Sequence, residues 1–398
     1  MKRSVSSKKC ILLSVACCTL LLANQLSASE QNRGKFGDIK SWQSDEYKAD
    51  WGLVSMNAAV AYALGATGKG VTLGVMDSGV LLSHPEFSDG RVSALKVSGS
   101  YYKDGQRYPD TEYGNSPLLK KGSGDKNKKD FGDFKKGEEF SIDGDWIAGV
   151  NDSHGTHVAG TIAASRDGVG MHGVAFDARL IMGNTGGTDG MTYGPNQDYN
   201  FFLNSYEGLA KSGARAINNS WGSNRKFYKA YEGATGYDGG NNLDIKDLDA
   251  AYKSYYPFVV NGKNFLDAAY EVATRYGVIQ IFTAGNRDGM KESYTRAMLP
   301  YFRPDAEKYW LNVTGQLEGD TQRYNTPGHS KWWSVAAPAK PIYSTVVDLT
   351  TGKADYGTKG GTSMAAPHVT GALGVIMQRY PYMNNAQIRE VLLTTARQ

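Results

Sequence analysis

A serine set among small residues, Gly360-Gly361-Thr362-Ser363-Met364-Ala365-Ala366-Pro367-His368, is where this chain has the means for nucleophilic chemistry. Proline lacks a backbone N–H, so it is tolerated where that N–H goes unpaired, in the first turn of a helix. The spacing therefore predicts Ser363 at or just before a helix N-terminus, facing unpaired N–H groups and the positive end of the helix dipole. Such a hydroxyl attacks a carbonyl only if a base takes its proton, an acid orients the base, and a donor holds the oxyanion that forms.

The elements that would position these groups can be read from apolar periodicity. Residues 71–76, 178–182, 214–218 and 277–282 are nearly continuous apolar runs, as expected of parallel strands covered on both faces. Helical patterns at 158–164, 204–211 and 265–276 lie between them, and the alternation predicts an α/β fold with a parallel sheet flanked by helices on both faces. In open parallel sheets, ligands gather at the carboxyl ends of the strands. The first run ends in Met76-Asp77-Ser78-Gly79, the third in Asn218-Asn219-Ser220-Trp221-Gly222, and the fourth in Thr283-Ala284-Gly285-Asn286. His154 heads the helix that begins in Asn151-Asp152-Ser153-His154-Gly155-Thr156-His157. The expected roles are Ser363 as nucleophile, His154 as base, Asp77 as the acid that orients it, and Asn286 as oxyanion donor beside the Ser363 N–H.

With Asp77-Ser78-Gly79, His154-Gly155-Thr156-His157-Val158-Ala159-Gly160 and Gly361-Thr362-Ser363-Met364-Ala365-Ala366-Pro367-His368 in that order, the chain resembles the subtilisin family of serine endopeptidases from about residue 51 to 397. The resemblance implies a subtilisin-like fold, polypeptide substrates, and an Asp-His-Ser triad acting through an acyl-enzyme. It also implies that Ser220, Trp221 and Gly222 bind the substrate backbone as an added strand and help wall its side-chain pockets, and that His157 is structural. Trp51-Gly52-Leu53, Gly65-Ala66-Thr67-Gly68-Lys69-Gly70 and His84-Pro85-Glu86-Phe87 are similar to subtilases exported as autotransporter passengers, among them surface antigens. A passenger implies a following outer-membrane β-barrel; no barrel-like repeat is present, and the catalytic domain, 51–398, is expected to be C-terminally incomplete.

Spacing argues against two competing assignments. His154 and His157 as a metal pair lack an intervening Glu and a third ligand. Asp152 as the triad acid is only two residues from His154, too close for the required reach. His84, His172, His329 and His368 have no evident partner. No cofactor or metal is expected; some subtilases hold structural Ca²⁺, but no loop here has a readable ligand spacing. A catalytically silent antigen or adhesin on the same scaffold is the alternative function.

The rest of the chain sets the context. Lys2, Arg3, Lys8 and Lys9 precede the apolar run 10–23 and a small-residue stretch, so 1–28 reads as a secretory signal peptide, too short in its apolar part to span a membrane comfortably. Without its four basic residues the chain carries 40 basic and 40 acidic side chains, which gives no reason to expect a nucleic-acid partner. All three cysteines lie in this segment, leaving a mature chain without disulfides. Residues 29–50 read as a polar lead-in. The stretches 98–145 and 225–262, rich in polar residues, Gly and Tyr, read as two surface insertions.

Overall fold

The computed structural model describes residues 34–106, 133–185, 198–221, 263–286, 292–294, 296–319 and 324–396. The signal segment 1–28, the second insertion 225–262, Gly222 and the last two residues lie outside the described residues. Seven strands form one parallel sheet: β1 (Thr72–Asp77), β2 (Val92–Ala94), β3 (Arg179–Asn184), β4 (Ala216–Asn219), β5 (Ile279–Thr283), β6 (Trp310–Leu317) and β7 (Ser334–Lys340). Their order across the sheet is β7-β6-β5-β4-β1-β3-β2, and every neighbouring pair is parallel. The chain goes from β1 out to the edge strand β2, returns through β3 beside β1, then crosses β1 to β4 and runs outward to β7, so the carboxyl ends of β1, β3 and β4 share the rim where such sheets receive ligands.

Among the described residues, five longer helices flank the sheet: α1 (His154–Ala163), α2 (Tyr199–Lys211), α3 (Phe265–Tyr276), α4 (Thr362–Arg379) and α5 (Asn385–Thr395). Side chains alternate along a strand, so each strand feeds two cores. Leu73, Val75, Leu180, Met182, Ile279, Ile281, Leu311 and Val313 pack with Val158 and Ile162 of α1 and with Met364, Val369 and Leu373 of α4. Met76, Ile181, Ile217, Phe282 and Trp310 face the other way, against Phe202 and Tyr206 of α2 and Leu266 and Val272 of α3. The continuous apolar runs of the sequence are this two-sided burial.

Helix ends follow their capping chemistry. Asn264 and Asp267 form a reciprocal capping box at the start of α3, and Gly277, with φ of 65°, closes it. The sequence pattern gives α3 the same limits. It starts α2 too late, at 204; the helix begins at Tyr199 because the Asp198 carboxylate accepts from Asn200 N and Phe201 N and the aromatic turn that follows is buried.

Two expectations about the periphery change. Within the polar lead-in, residues 34–50 are packed onto the fold: Tyr47 and Glu46 are buried, and Trp42 stacks against Phe176 and tilts against Tyr62. The separation at 50/51 thus has no counterpart in the packing, because apolar faces of Trp and Tyr are hidden in a stretch that reads as polar. The first insertion is likewise more than surface at its base. Lys96–Ser100 pairs antiparallel with Glu139–Asp143. Tyr101, Phe134 and Phe140 of this stem form an aromatic cluster that reaches Phe201 of α2 and so joins the second core.

Candidate active site

β1 ends on Asp77, fully buried, and α1 begins on His154, which is 3% exposed. Asp77 Oδ1 lies 2.8 Å from His154 Nδ1 and also accepts from Ser78 N at 2.8 Å. A carboxylate on Nδ1 holds the ring proton there, so the neutral imidazole carries its lone pair on Nε2, the tautomer assigned from this network.

Strand end and helix start are laced together by residues that sequence reasoning gave no such part. Ser78 Oγ donates to Asp152 Oδ1 at 2.5 Å and accepts from Gly155 N at 2.8 Å. Asp152 Oδ1 also accepts from His154 N at 2.8 Å. Asp152, the rival for the orienting acid, therefore meets the His154 backbone as a helix-start acceptor, while Asp77 meets its ring. Gly155 lets the two elements touch: a Cβ there would lie 2.2 Å from the Gly79 carbonyl oxygen.

Ser363 is the second residue of α4 and is 9% exposed. Pro367 lies past the first turn rather than within it, which corrects the expectation from the sequence. Its missing N–H leaves the Ser363 carbonyl without the usual helical donor. Ser220 Oγ fills that place, donating to Ser363 O at 2.8 Å, while Ser363 Oγ donates to Ser220 O at 2.6 Å.

Asn286 follows β5 and is exposed. Its Oδ1 accepts from both Thr362 N and Thr362 Oγ1, each at 2.7 Å. A backbone N–H needs an acceptor, which fixes the amide orientation and leaves Nδ2 as the outward donor. Gly361 makes room for this amide: its φ is 146°, a region L side chains rarely adopt, and a Cβ would lie 3.0 Å from Asn286 Nδ2. The structure thus holds an oriented imidazole at the carboxyl end of β1 and, at the start of α4, a hydroxyl next to a residue that anchors the Asn286 amide. Such a set can perform acyl transfer.

The remaining candidates sort differently. Trp221 is buried against Phe202, Phe265 and Phe282, so its ring supports the rim from below rather than walling a substrate pocket. The large apolar ring is drawn into the Phe-rich second core. The Ser220 hydroxyl is equally withdrawn, engaged on Ser363. His157 is buried with Nε2 3.0 Å from the Ile342 carbonyl, and burial, with the Lys359 charge, pushes its pKa down to about 3. It stays neutral and faces a different partner from His154. Among the described residues, no group of three or more His, Cys, Asp or Glu is placed to hold a metal ion.

The other histidines all have partners that spacing did not reveal. His84 Nε2 meets the Asp355 carbonyl at 2.9 Å, His172 Nδ1 the Gly173 carbonyl at 2.8 Å, and His329 Nδ1 meets Glu292 Oε1 at 2.5 Å. His368 Nε2 meets Asp50 Oδ2 at 2.9 Å.

Comparison with known proteins places the chain among relatives of one family. The family model described as Peptidase_S8, subtilase family, matches residues 68–398. The chain is 34% identical over 422 residues to an extracellular serine protease of Serratia marcescens, covering 96% of this chain and 35% of that protein. It is 25% identical over 351 residues to subtilisin E of Bacillus subtilis (strain 168), covering 87% of this chain and 65% of that protein. Among solved structures it is similar to fervidolysin from Fervidobacterium pennivorans, a keratinolytic enzyme related to subtilisin, with a TM-score of 0.51 and 22% identity, covering 91% of this chain and 43% of that one. That likeness shows the fold alone. The chain spans about a third, 35%, of the length of the two Serratia proteins it matches.

Proposed function

The chain belongs to the subtilase family, and from that membership we propose that it is a serine endopeptidase whose triad is Asp77, His154 and Ser363. Ser363 Oγ turns from the Ser220 carbonyl about its Cα–Cβ bond and attacks the scissile carbonyl carbon, passing its proton to His154 Nε2. Asp77 keeps Nδ1–H in place and stabilises the imidazolium. Asn286 Nδ2 and the Ser363 N–H hold the tetrahedral oxyanion. Collapse expels the amine, which takes the proton from His154, and leaves an ester on Ser363. Water, deprotonated by His154, then hydrolyses that ester and frees the acid product and the hydroxyl.

The observation that carries this reading is the buried Asp77 Oδ1–His154 Nδ1 contact at 2.8 Å, which fixes the tautomer a base requires. Substrate backbone would align beside the main chain at 220–222, since the side chains of Ser220 and Trp221 are occupied elsewhere. The test is labelling with a fluorophosphonate followed by mass mapping. The adduct is expected on Ser363 and absent from Ser363→Ala. Folded wild-type protein that takes no label and leaves denatured casein intact would sink the reading and favour the silent antigen.

Export is part of the proposal. Residues 1–28 direct secretion, in keeping with the extracellular naming of the Serratia relatives. No helix among the described residues is long and apolar enough to cross a membrane. Cell fractionation distinguishes free protein in the medium from protein retained at the surface by an outer-membrane β-barrel, as an autotransporter-like passenger would be.

A further inference from the structure

The first turn of α4 carries the reactive hydroxyl, yet its own ladder is incomplete, because Pro367 cannot donate to Ser363 O. Two outside groups hold it, Ser220 on Ser363 O and Asn286 on Thr362 N. A third support comes from the helix itself: His368 Nδ1 lies 2.8 Å from Met364 O, the carbonyl next along from Ser363. The other ring nitrogen, Nε2, lies 2.9 Å from Asp50 Oδ2, and both side chains are fully buried. A backbone carbonyl and a carboxylate only accept, so both ring nitrogens must carry hydrogens and His368 is an imidazolium. Asp50 is itself fixed, its Oδ1 accepting from Gly52 N at 2.8 Å as the cap of the short helix Trp51–Ser55.

We propose that Asp50 and His368 are a positioning pair: a buried ion pair that ties the segment before β1 to the first turn of α4 and so seats Ser363 for attack. The proposal rests on Ser363 being the nucleophile. It makes Asp50, in a stretch that reads as a polar lead-in, part of the working site. Neither residue touches substrate; both act through the Met364 carbonyl. Such supporting groups matter because a misplacement of about 1 Å at the reacting atoms costs ~10²-fold in rate.

The pair also predicts a pH signature. Burial alone would push His368 towards neutrality, but the Asp50 charge, the hydrogen bond to it and the Met364 carbonyl outweigh burial, so its pKa stands above the ordinary 6.5. The other titratable groups that face the pair are His157 of α1 towards His368, and Tyr47, Tyr62 and His172 towards Asp50. Because the folded pKa is raised, the ion pair is fully present below pH 6.5 and is lost as pH rises through the folded value. Its loss is an alkaline limb, separate from the acid limb that protonation of a catalytic base produces.

The experiment measures kcat, KM and the rate of fluorophosphonate labelling across pH 6–10 on the full chain, for wild type, Asp50→Asn and Asp50→Glu. Asparagine keeps the shape and an acceptor for Nε2 but removes the charge. It is expected to lower kcat ~10–100-fold with KM within about twofold, on the scale of a lost supporting contact, and to move the alkaline limb to lower pH. Glutamate keeps the charge and is expected to return the limb towards its wild-type position, which also keeps the test open if Asp50→Asn folds poorly. The ¹⁵N shifts of His368, expected to report two protonated nitrogens at neutral pH, read the pair independently of activity. A neutral His368 overturns the proposal, as does Asp50→Asn with wild-type kcat and an unmoved limb, even if it melts earlier. Wild type that takes no label overturns the peptidase reading instead, and the positioning role with it.

Discussion

Ser220 and Ser363 hold each other by reciprocal hydrogen bonds, each hydroxyl donating to the other's backbone carbonyl, at 2.8 and 2.6 Å. The pair is a consequence of Pro367. A proline in the second turn of α4 leaves the Ser363 carbonyl short of a helical partner, and the loop after β4 supplies one. The Ser363 backbone is thereby clamped to the rim by the Ser220 hydroxyl.

Removing that clamp has a measurable cost. Ser220→Ala leaves the buried Ser363 carbonyl without either donor, and a destabilisation of about 1–3 kcal/mol is expected in calorimetry or urea unfolding. Adding Pro367→Ala restores a helical N–H and should recover part of the loss. A double variant no more stable than Ser220→Ala alone would show that the carbonyl was not the cause.

Asn286→Ala should act on the chemical step. The variant removes the Nδ2 donor together with the Oδ1 acceptor that holds Thr362 N and Oγ1. A kcat ~10²–10³-fold lower with little change in KM is expected, the scale on which removal of an oxyanion donor is documented for a subtilisin. An effect confined to KM takes Asn286 out of the oxyanion role.

Gly361→Ala tests the same amide from the other side. The φ of 146° strains any L side chain, at a cost of about 1–3 kcal/mol, and the added methyl presses on Asn286 Nδ2. Activity at a temperature where the variant is folded should fall by roughly the same factor as in Asn286→Ala. A folded, fully active variant would mean that the amide has room to yield.

Stability should depend on pH through Glu86. Burial pushes its carboxyl up to about 8, with Asp167 and Glu46 nearby adding to the shift and the Tyr356 hydroxyl opposing it. A folded pKa above the unfolded value of 4.5 means that this contribution is present below pH 4.5 and is lost as pH rises through about 8. Glu86→Gln should therefore flatten the decline in urea midpoint between pH 5 and 8.5. An unchanged slope would mean that Glu86 is ionised without penalty in the folded protein.

Asp77, His154 and Asn286 are legible in the sequence because each closes or heads an apolar run, and strand ends in a parallel sheet share a rim. β6 and β7 are harder to see. Asn312 is buried in β6, where its amide meets the hydroxyls of Ser293, Ser330 and Ser334, so the strand is not continuously apolar. The Asp50–His368 pair is invisible for a different reason: its partners stand 318 residues apart, and a polar residue in a polar stretch gives no sign of burial. Trp221 misleads in the opposite sense, since a large ring beside a site reads as a wall until its packing is known.

α4 touches β1, β4, β5, β6, β7 and α1, yet it follows all seven strands in the chain. During synthesis Asp77 and His154 emerge long before Ser363, and on the face that α1 and α4 share only α1 is in place until residues 362–379 have left the ribosome. Until then the apolar side chains that α4 covers, Leu73 and Leu311 among them, stay exposed, the kind of surface that makes a partly folded chain prone to aggregate. Docking of that one helix both closes this face and brings Ser363 to the Ser220 carbonyl.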